Sequence, residues 1–418
     1  MTASRRPPSD PPPSSDFGLA SLVDPRRPFS RLAGGFMISS VGDPFSLAIS
    51  LVLIHQLIDG TYALAVAYAV RALAAILVGG LAGSITDRVD RRRLLIVLDA
   101  FRFLILVAMP LVVTRSPAVI FPCLFLLGGA ESLAQPARLA GATVLAPPDF
   151  VDRANSLLMV SYSVAQAIGF ALAGLAITEL AQPQNVYWID SATFLGSVML
   201  TLTLPNLGGG IARPDFRLNG LAQLRRADLR PLLLVTGWAN LFIALGAPVF
   251  LPMAYLLLPG NGAAGYTWFE IATIVGILIG SLALARLRPR RPAISMAYGI
   301  AAFGVAGLTV GASPNIVVAL VGLAATGVAN AIYSVLNRTA LMQIASEDER
   351  GAVMSTRYSI AQTAQIIGFG LGALVAALAT PRGAFVTVGL GSLVVAAVFL
   401  LSYRKRAPVS SEGTRPGS

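Results

Sequence analysis

Apolar residues in this chain fall in long unbroken runs separated by short polar breaks. A helix needs about 20 such residues to cross the hydrocarbon core of a bilayer. Runs of that length cover 33–55, 61–83, 93–113, 117–137, 155–180, 184–204, 231–257, 266–286, 292–312, 315–337, 354–379 and 383–403, twelve in all. Most connections between them are too short to be anything but turns. The exception is 205–230, rich in Gly, Pro and Arg, which divides the spans six and six. The pattern predicts an all-α polytopic membrane protein of twelve transmembrane helices. A first six-helix half (32–204) and a second (231–403) are joined by a linker (205–230) and flanked by tails (1–31 and 404–418).

The basic residues orient these spans. With both ends of the chain on the cytoplasmic side, 27 of the 31 Lys and Arg fall in inside segments, and only Arg115 and Arg382 fall in outside loops. Positive charge is retained on the cytoplasmic side of membrane proteins, so the asymmetry selects that topology. The first tail, with Arg5-Arg6 followed by Pro-Pro-Ser-Asp-Pro-Pro-Pro, has no apolar core behind the arginines. It reads as a disordered cytoplasmic tail and not as a cleaved signal.

Composition agrees with a lipid solvent. Charged residues make up 12% of the chain against 55% hydrophobic, and a soluble domain carries roughly 25% charged. The net charge of +11 could suggest nucleic acid, but the arginines sit in clusters between apolar runs and form no basic face. Cys123 and His55 are the only residues of their kinds, which leaves no disulfide framework, thiolate metal site or histidine cluster to expect. No phosphate-binding loop or nucleophile constellation is found. No enzyme activity, cofactor or metal is therefore expected.

The two halves echo each other. Ala165-Gln166-Ala167-Ile168-Gly169-Phe170-Ala171-Leu172 returns 199 residues later as Ala364-Gln365-Ile366-Ile367-Gly368-Phe369-Gly370-Leu371, and the same offset carries Gly128 onto Gly327. A duplicated six-helix unit is a recurring plan of secondary transporters. The loop after span two reads Gly83-Ser84-Ile85-Thr86-Asp87-Arg88-Val89-Asp90-Arg91-Arg92-Arg93. It resembles the major facilitator superfamily signature G-x-x-x-D-R-x-G-R-R through Gly83, Asp87, Arg88, Arg91 and Arg92, with Asp90 where the family usually has Gly. In that family these residues form a conformational latch.

A second set narrows the resemblance. Gln135-Pro136-Ala137-Arg138, Val144-Leu145-Ala146-Pro147 and Asp152-Arg153-Ala154-Asn155-Ser156-Leu157 are similar to the region after span four in the macrolide-efflux and enterobactin-exporter group. So are Ser40-Val41-Gly42-Asp43 in span one and Ile189-Asp190-Ser191-Ala192-Thr193-Phe194 in span six. One departure stands out. Antiporters of the superfamily often carry G-x-x-x-G-P-x-x-G-G in span five. Here Gly169 and Gly174 are kept, but Phe170 replaces the Pro and Ala165 and Ala173 replace Gly.

A charge at the bilayer centre costs at least ~2.5 kcal/mol on insertion scales, so each one needs a partner, a cavity or a task. Asp43 and Glu131 are the candidate proton-coupling acids, on spans that the family resemblance puts beside the central cavity. Arg71 is a counter-ion or substrate contact, or else a structural partner of Asp43 or Glu131. Asp99 and Arg102, three residues apart, read as an intrahelical pair. Asp190 and Glu270 begin their spans and are expected to be solvated, and His55 at the outer end of span one reads as an interfacial histidine. Asn240, Asn330, Gln166 and Gln365 are candidate substrate-cavity amides; Trp238, Tyr255, Tyr298, Tyr333 and Phe242 supply ring surface.

The expected function is secondary active transport by alternating access: proton-coupled efflux of a hydrophobic or amphipathic small molecule, a drug or natural product. The expected setting is the plasma membrane of a bacterium, with lipid, protons and a small-molecule substrate as partners, no nucleic acid, and a monomer sufficient. An importer or facilitator of a metabolite, and a non-transporting scaffold or sensor on the same fold, are the alternatives. The missing Pro of span five sustains the first, and the largely intact loop after span two argues against the second.

Overall fold

The computed structural model describes residues 24, 27–58, 61–147, 150–180, 182–208, 220–287, 289–346 and 349–404. Among them every regular element is helical. The long helices are α1 (Pro28–Leu57), α2 (Thr61–Arg88), α3 (Arg91–Val113), α4 (Ile120–Leu145), α5 (Val151–Glu179) and α6 (Val186–Leu202). A short α7 (Gly220–Arg225) follows, then α8 (Arg230–Gly246) and α9 (Phe250–Leu257). The chain ends with α10 (Gly262–Leu287), α11 (Pro292–Gly311), α12 (Ile316–Ile344), α13 (Arg350–Leu378) and α14 (Pro381–Arg404).

Eleven stretches among the described residues are long and apolar enough to cross a membrane, α8 and α9 counting together as Arg230–Leu257. The twelfth predicted span, 184–204, is represented by α6, which has 17 residues and stands outside those eleven. The predicted span 231–257 is not one continuous helix. Pro248 has no N–H to offer the carbonyl of Ala244, which accepts instead from Ala247. The chain passes through a 3₁₀ turn at Ala247–Val249 before α9 resumes. Helices also outrun the apolar runs: α4 continues to Leu145 and α12 to Ile344, past Arg138 and Arg338.

The chain divides into two compact units, Met1–Asp215 with Pro259–Ile271, and Phe216–Leu258 with Ala272–Ser418. Within the first, α1 packs on α5 and α6, α2 on α4, and α3 on α4 and α6. Within the second, α8 packs on α13 and α14, and α11 on α12 and α14.

The internal repeat is visible in these packings. Gly169 of α5 lies so close to the Val41 carbonyl of α1 that no Cβ would fit. Its counterpart Gly368 of α13 meets the Leu241 carbonyl of α8 in the same way. Gly128 of α4 rests against Arg71 of α2, and Gly327 of α12 against the backbone of Thr273 and Ile277 of α10. Small residues at such crossings let helix backbones approach closely, which is how helices associate where lipid is as apolar as their side chains.

Candidate functional site

Two buried arginines organise the interior of the first unit. Arg102 of α3 and Arg138 of α4 are 1% and 2% exposed, and an arginine so placed needs acids around it. Arg138 donates through Nη2 to both carboxylate oxygens of Asp99, at 3.0 and 3.3 Å, and to Ser39 Oγ of α1 at 3.1 Å. Ser197 of α6 donates to Asp99 Oδ2 at 2.7 Å. The Arg138 guanidinium also lies 4.8 Å from the Phe36 ring centroid, a cation–π placement. Four helices are thus tied at one acid.

Arg102 turns the other way. Its Nη2 donates to Glu131 Oε2 of α4 at 2.5 Å, and its guanidinium lies 5.1 Å from the Phe194 ring centroid. Asp99 stands 4.0 Å from Arg102 Nη1, so the expected intrahelical pair is a loose contact. Each partner's shorter bonds run to other helices. The i, i+3 spacing was legible, but Arg138, which competes for Asp99, is on the next helix.

Beside the Arg102–Glu131 bond is a small cavity of about 10 Å³, room for about one water. Asp43, Ser46, Arg71, Arg102, Glu131 and Phe194 line it, with Leu124 and Leu127. The sequence-predicted trio of Asp43, Arg71 and Glu131 is therefore brought together. Their states differ. Glu131 is held by Arg102. Asp43 and Arg71 face the same space, and among the described residues neither has an ion pair within 4 Å. Arg71 is neither a close partner of Asp43 nor of Glu131.

Asp190, expected to be solvated, is fully buried. It sits where α6 crosses α1 at Gly42, whose absent Cβ leaves room for Thr193 and the Asp190 carboxyl. Its position at the start of an apolar run suggested an interface; the α1 wall at Gly42 covers it instead. Glu270 is half-buried rather than fully solvated.

The amide candidates divide by unit. Gln166 donates to the Ser40 carbonyl at 3.3 Å. In the second unit Gln365 donates to Asn240 Oδ1 at 3.1 Å, and Asn240 donates to Tyr333 Oη at 3.0 Å. A parallel chain was not anticipated: Asn337, fully buried, accepts from Thr236 at 3.2 Å and from Arg357 Nε at 2.6 Å. Asn330 accepts from Ser334 and lines a cavity of about 70 Å³ with Phe250, Thr273, Phe303, Thr326 and Phe385. Trp238 and Tyr298 are more than half exposed. Of the ring candidates, Tyr333 is fully buried, and Phe242 and Tyr255 are half-buried.

At the loop after α2, Asp90 caps α3, accepting from the Arg92 amide at 3.1 Å. The residue that departs from the family pattern thus has a task that Gly could not perform. Arg92 donates to the Thr201 and Leu202 carbonyls at 3.3 and 2.6 Å, and Arg91 to the Leu207 carbonyl at 3.2 Å. These are carbonyls at and beyond the end of α6, where unpaired C=O groups attract cations. Arg88 is exposed. Gly83 and Asp87 fall on α2, but their side chains lie outside the described residues.

A family profile described as the Major Facilitator Superfamily matches residues 32–332 and again 264–417. The chain belongs to this superfamily of membrane transporters, and neither its fold nor its relatives are those of an enzyme. It is 26% identical over 350 residues to the multidrug efflux pump Tap of Mycolicibacterium fortuitum, covering 78% of this chain and 84% of that protein. It is 28% identical over 290 residues to an uncharacterized transporter of the same type from Sinorhizobium fredii, covering 65% and 69%. Among solved structures, the nucleoside transporter NupG superposes with a TM-score of 0.75 at 12% identity, over 90% of this chain and 98% of that one. That last likeness is one of fold.

Proposed function

We propose that this transporter is a proton-coupled exporter of hydrophobic or amphipathic small molecules, with Asp43 the acid that exchanges the coupling proton. The observation that carries the reading is the cavity shared by Asp43, Arg71, Arg102 and Glu131. Glu131 is already neutralised by Arg102. Asp43 faces the cavity with no cation within 4 Å among the described residues, a condition in which a carboxyl at membrane depth gains from taking up a proton. Arg71, which has no ion pair among the described residues, offers a contact to a polar group of substrate. In the second half, Asn330, Thr273 and Thr326 are the polar points of a largely apolar cavity lining. Such a lining suits an apolar cargo with few hydrogen-bonding groups. The relative named as a multidrug efflux pump supports the direction and the substrate class.

In the same reading the chain works as two six-helix halves joined by the 205–230 segment. Both ends are cytoplasmic, in a bacterial plasma membrane, and a single chain suffices. The loop residues Gly83, Asp87, Arg88, Arg91 and Arg92 then act as the cytoplasmic latch.

The test is proton flux in proteoliposomes under an imposed pH gradient. A panel of amphipathic drugs is scanned with wild type, Asp43→Asn and Glu131→Gln. Drug-dependent proton movement abolished by Asp43→Asn is the expected result. Movement that survives Asp43→Asn removes that residue from coupling, and no movement with any compound favours an importer or a non-transporting protein.

A further inference from the structure

Among the described residues, Asp43 and Asp190 of the first unit have no arginine within 4 Å, and of the two only Asp43 faces an arginine across a cavity. Arg138 is committed to Asp99, and Arg102 to Glu131 with Asp99 as its second neighbour. Arg71 faces the cavity with Asp43. Asp190 is left over. It is fully buried, and among the described residues no cation lies within 4 Å of it. Its Oδ2 is a buried oxygen with no hydrogen-bond partner. Its Oδ1 receives a long 3.3 Å contact from Thr193, whose hydroxyl is better placed on the Asp190 backbone carbonyl at 2.7 Å.

An ionised carboxylate in that position would be a buried, uncompensated charge. Isolated buried charges cost so much that the group neutralises instead. The charged groups on the elements packed against α6 do not reverse this. Asp43 on α1 repels a second negative charge. On α3, Asp99 bonds Ser197 and Arg138, and Arg102 is spent on Glu131. Gly42 seals the crossing, since its missing Cβ is the space that Asp190 and Thr193 fill. The remaining neighbour is the Ser46 hydroxyl on α1. Ser46 is also a wall of the cavity that contains Asp43.

We infer that Asp190 is a second proton-holding site of this transporter, neutral while Asp43 is charged and joined to the cavity through Ser46. The exchange balances without any further reactant. The Ser46 hydroxyl donates to the Asp43 main-chain carbonyl at 3.1 Å in this structure and must turn toward the side chain for the transfer. The Asp190 O–H bond then breaks as its proton passes to Ser46 Oγ, and Ser46 passes its own hydroxyl proton to the Asp43 carboxylate. Asp190 ends ionised, Asp43 ends neutral, and the total charge is unchanged. A proton held on α6 can then replenish Asp43 from a place that the substrate does not occupy. This inference concerns the protonation of Asp190 and deepens the proton-coupled reading.

The experiment is infrared spectroscopy of the purified full chain in nanodiscs at neutral pH, without any drug. Protein carrying carbon-13 at the aspartate carboxyls separates aspartic from glutamic acid bands, and the H2O–D2O difference isolates those that carry a proton. The expected result is a protonated aspartic carbonyl band in wild type that persists in Asp43→Asn and is lost in Asp190→Asn. Asp190→Ser should lose it too, and serves if the Asn variant does not fold. Absence of a protonated aspartic band in labelled wild type, or its survival in a folded Asp190 variant, would overturn the assignment. None of these readings depends on transport, so a failed drug-flux assay leaves them intact. Ser46→Ala should keep the band and slow its hydrogen–deuterium exchange; unchanged exchange would overturn the Ser46 route.

Discussion

Arg138 on α4 bonds both carboxylate oxygens of Asp99 on α3, with Ser39 and Ser197 completing the cluster from α1 and α6. All four side chains are buried. Removing one partner of such a pair strands the other, at a cost of about 3–5 kcal/mol. Arg138→Ala is therefore expected to lower the thermal unfolding temperature in detergent sharply, or to abolish recovery of folded protein. The double variant Asp99→Leu with Arg138→Met should be more stable than Arg138→Ala, because no buried charge is left alone.

Two glycines two residues apart on α13 should respond in opposite ways. A Cβ at Gly368 would collide with the Leu241 carbonyl, whereas one at Gly370 would meet nothing within 4 Å. Gly368→Ala is expected to destabilise by about 1–3 kcal/mol through overpacking. Gly370→Ala should be neutral or stabilise by about 0.4–1 kcal/mol by restricting the unfolded chain. Thermal unfolding of the two variants side by side checks both.

Asn337 is fully buried and accepts from both Thr236 and Arg357 through one oxygen. Asn337→Ala leaves these donors without that acceptor, and should cost about 1–3 kcal/mol. Asn337→Asp keeps the acceptor and adds a charge facing Arg357, so it should retain more of the stability at neutral pH. Unfolding temperatures of the two variants decide the order.

Outside the membrane spans, Arg226 bonds Asp228 at 2.6 Å and Glu349, just before α13, at 2.6 Å. The Arg226 bond holds the Asp228 carboxyl below its usual value, and bonds from Ser346 and then Arg226 do the same for Glu349. Stability from depressed carboxylates is fully present above their unfolded values of about 4 and is lost as pH falls through the lower folded values. Arg226→Ala should therefore lower the unfolding temperature slightly at neutral pH. The gap to wild type should close progressively in acid.

The helices and the family signature were legible because lipid imposes apolar length and the loop charges stand in a recognisable order. Asp43, Arg71 and Glu131 were found as isolated charges in apolar runs, and they do share one cavity. Pairing was not legible. Asp99 and Arg102 suggested each other by spacing, while the stronger partner of Asp99 was Arg138, noticed only as part of the P-A-R stretch. Asp190 was misjudged for a related reason. Position within a span reports depth along one helix, and burial depends on which neighbour covers it. Gly42 was the available hint, since a glycine at a crossing marks where another helix presses in.

The interruption at Pro248 has a mechanical consequence. Ala244 gives its carbonyl to the Ala247 amide, one residue early, so the α-helical hydrogen-bond ladder is interrupted there. The long rod Arg230–Leu257 therefore behaves as two levers about a built-in elbow. The eight residues of α9 start a fresh hydrogen-bond ladder beyond it, so a displacement of that segment is not carried through the ladder to Asn240, two turns away on α8, which bonds Tyr333.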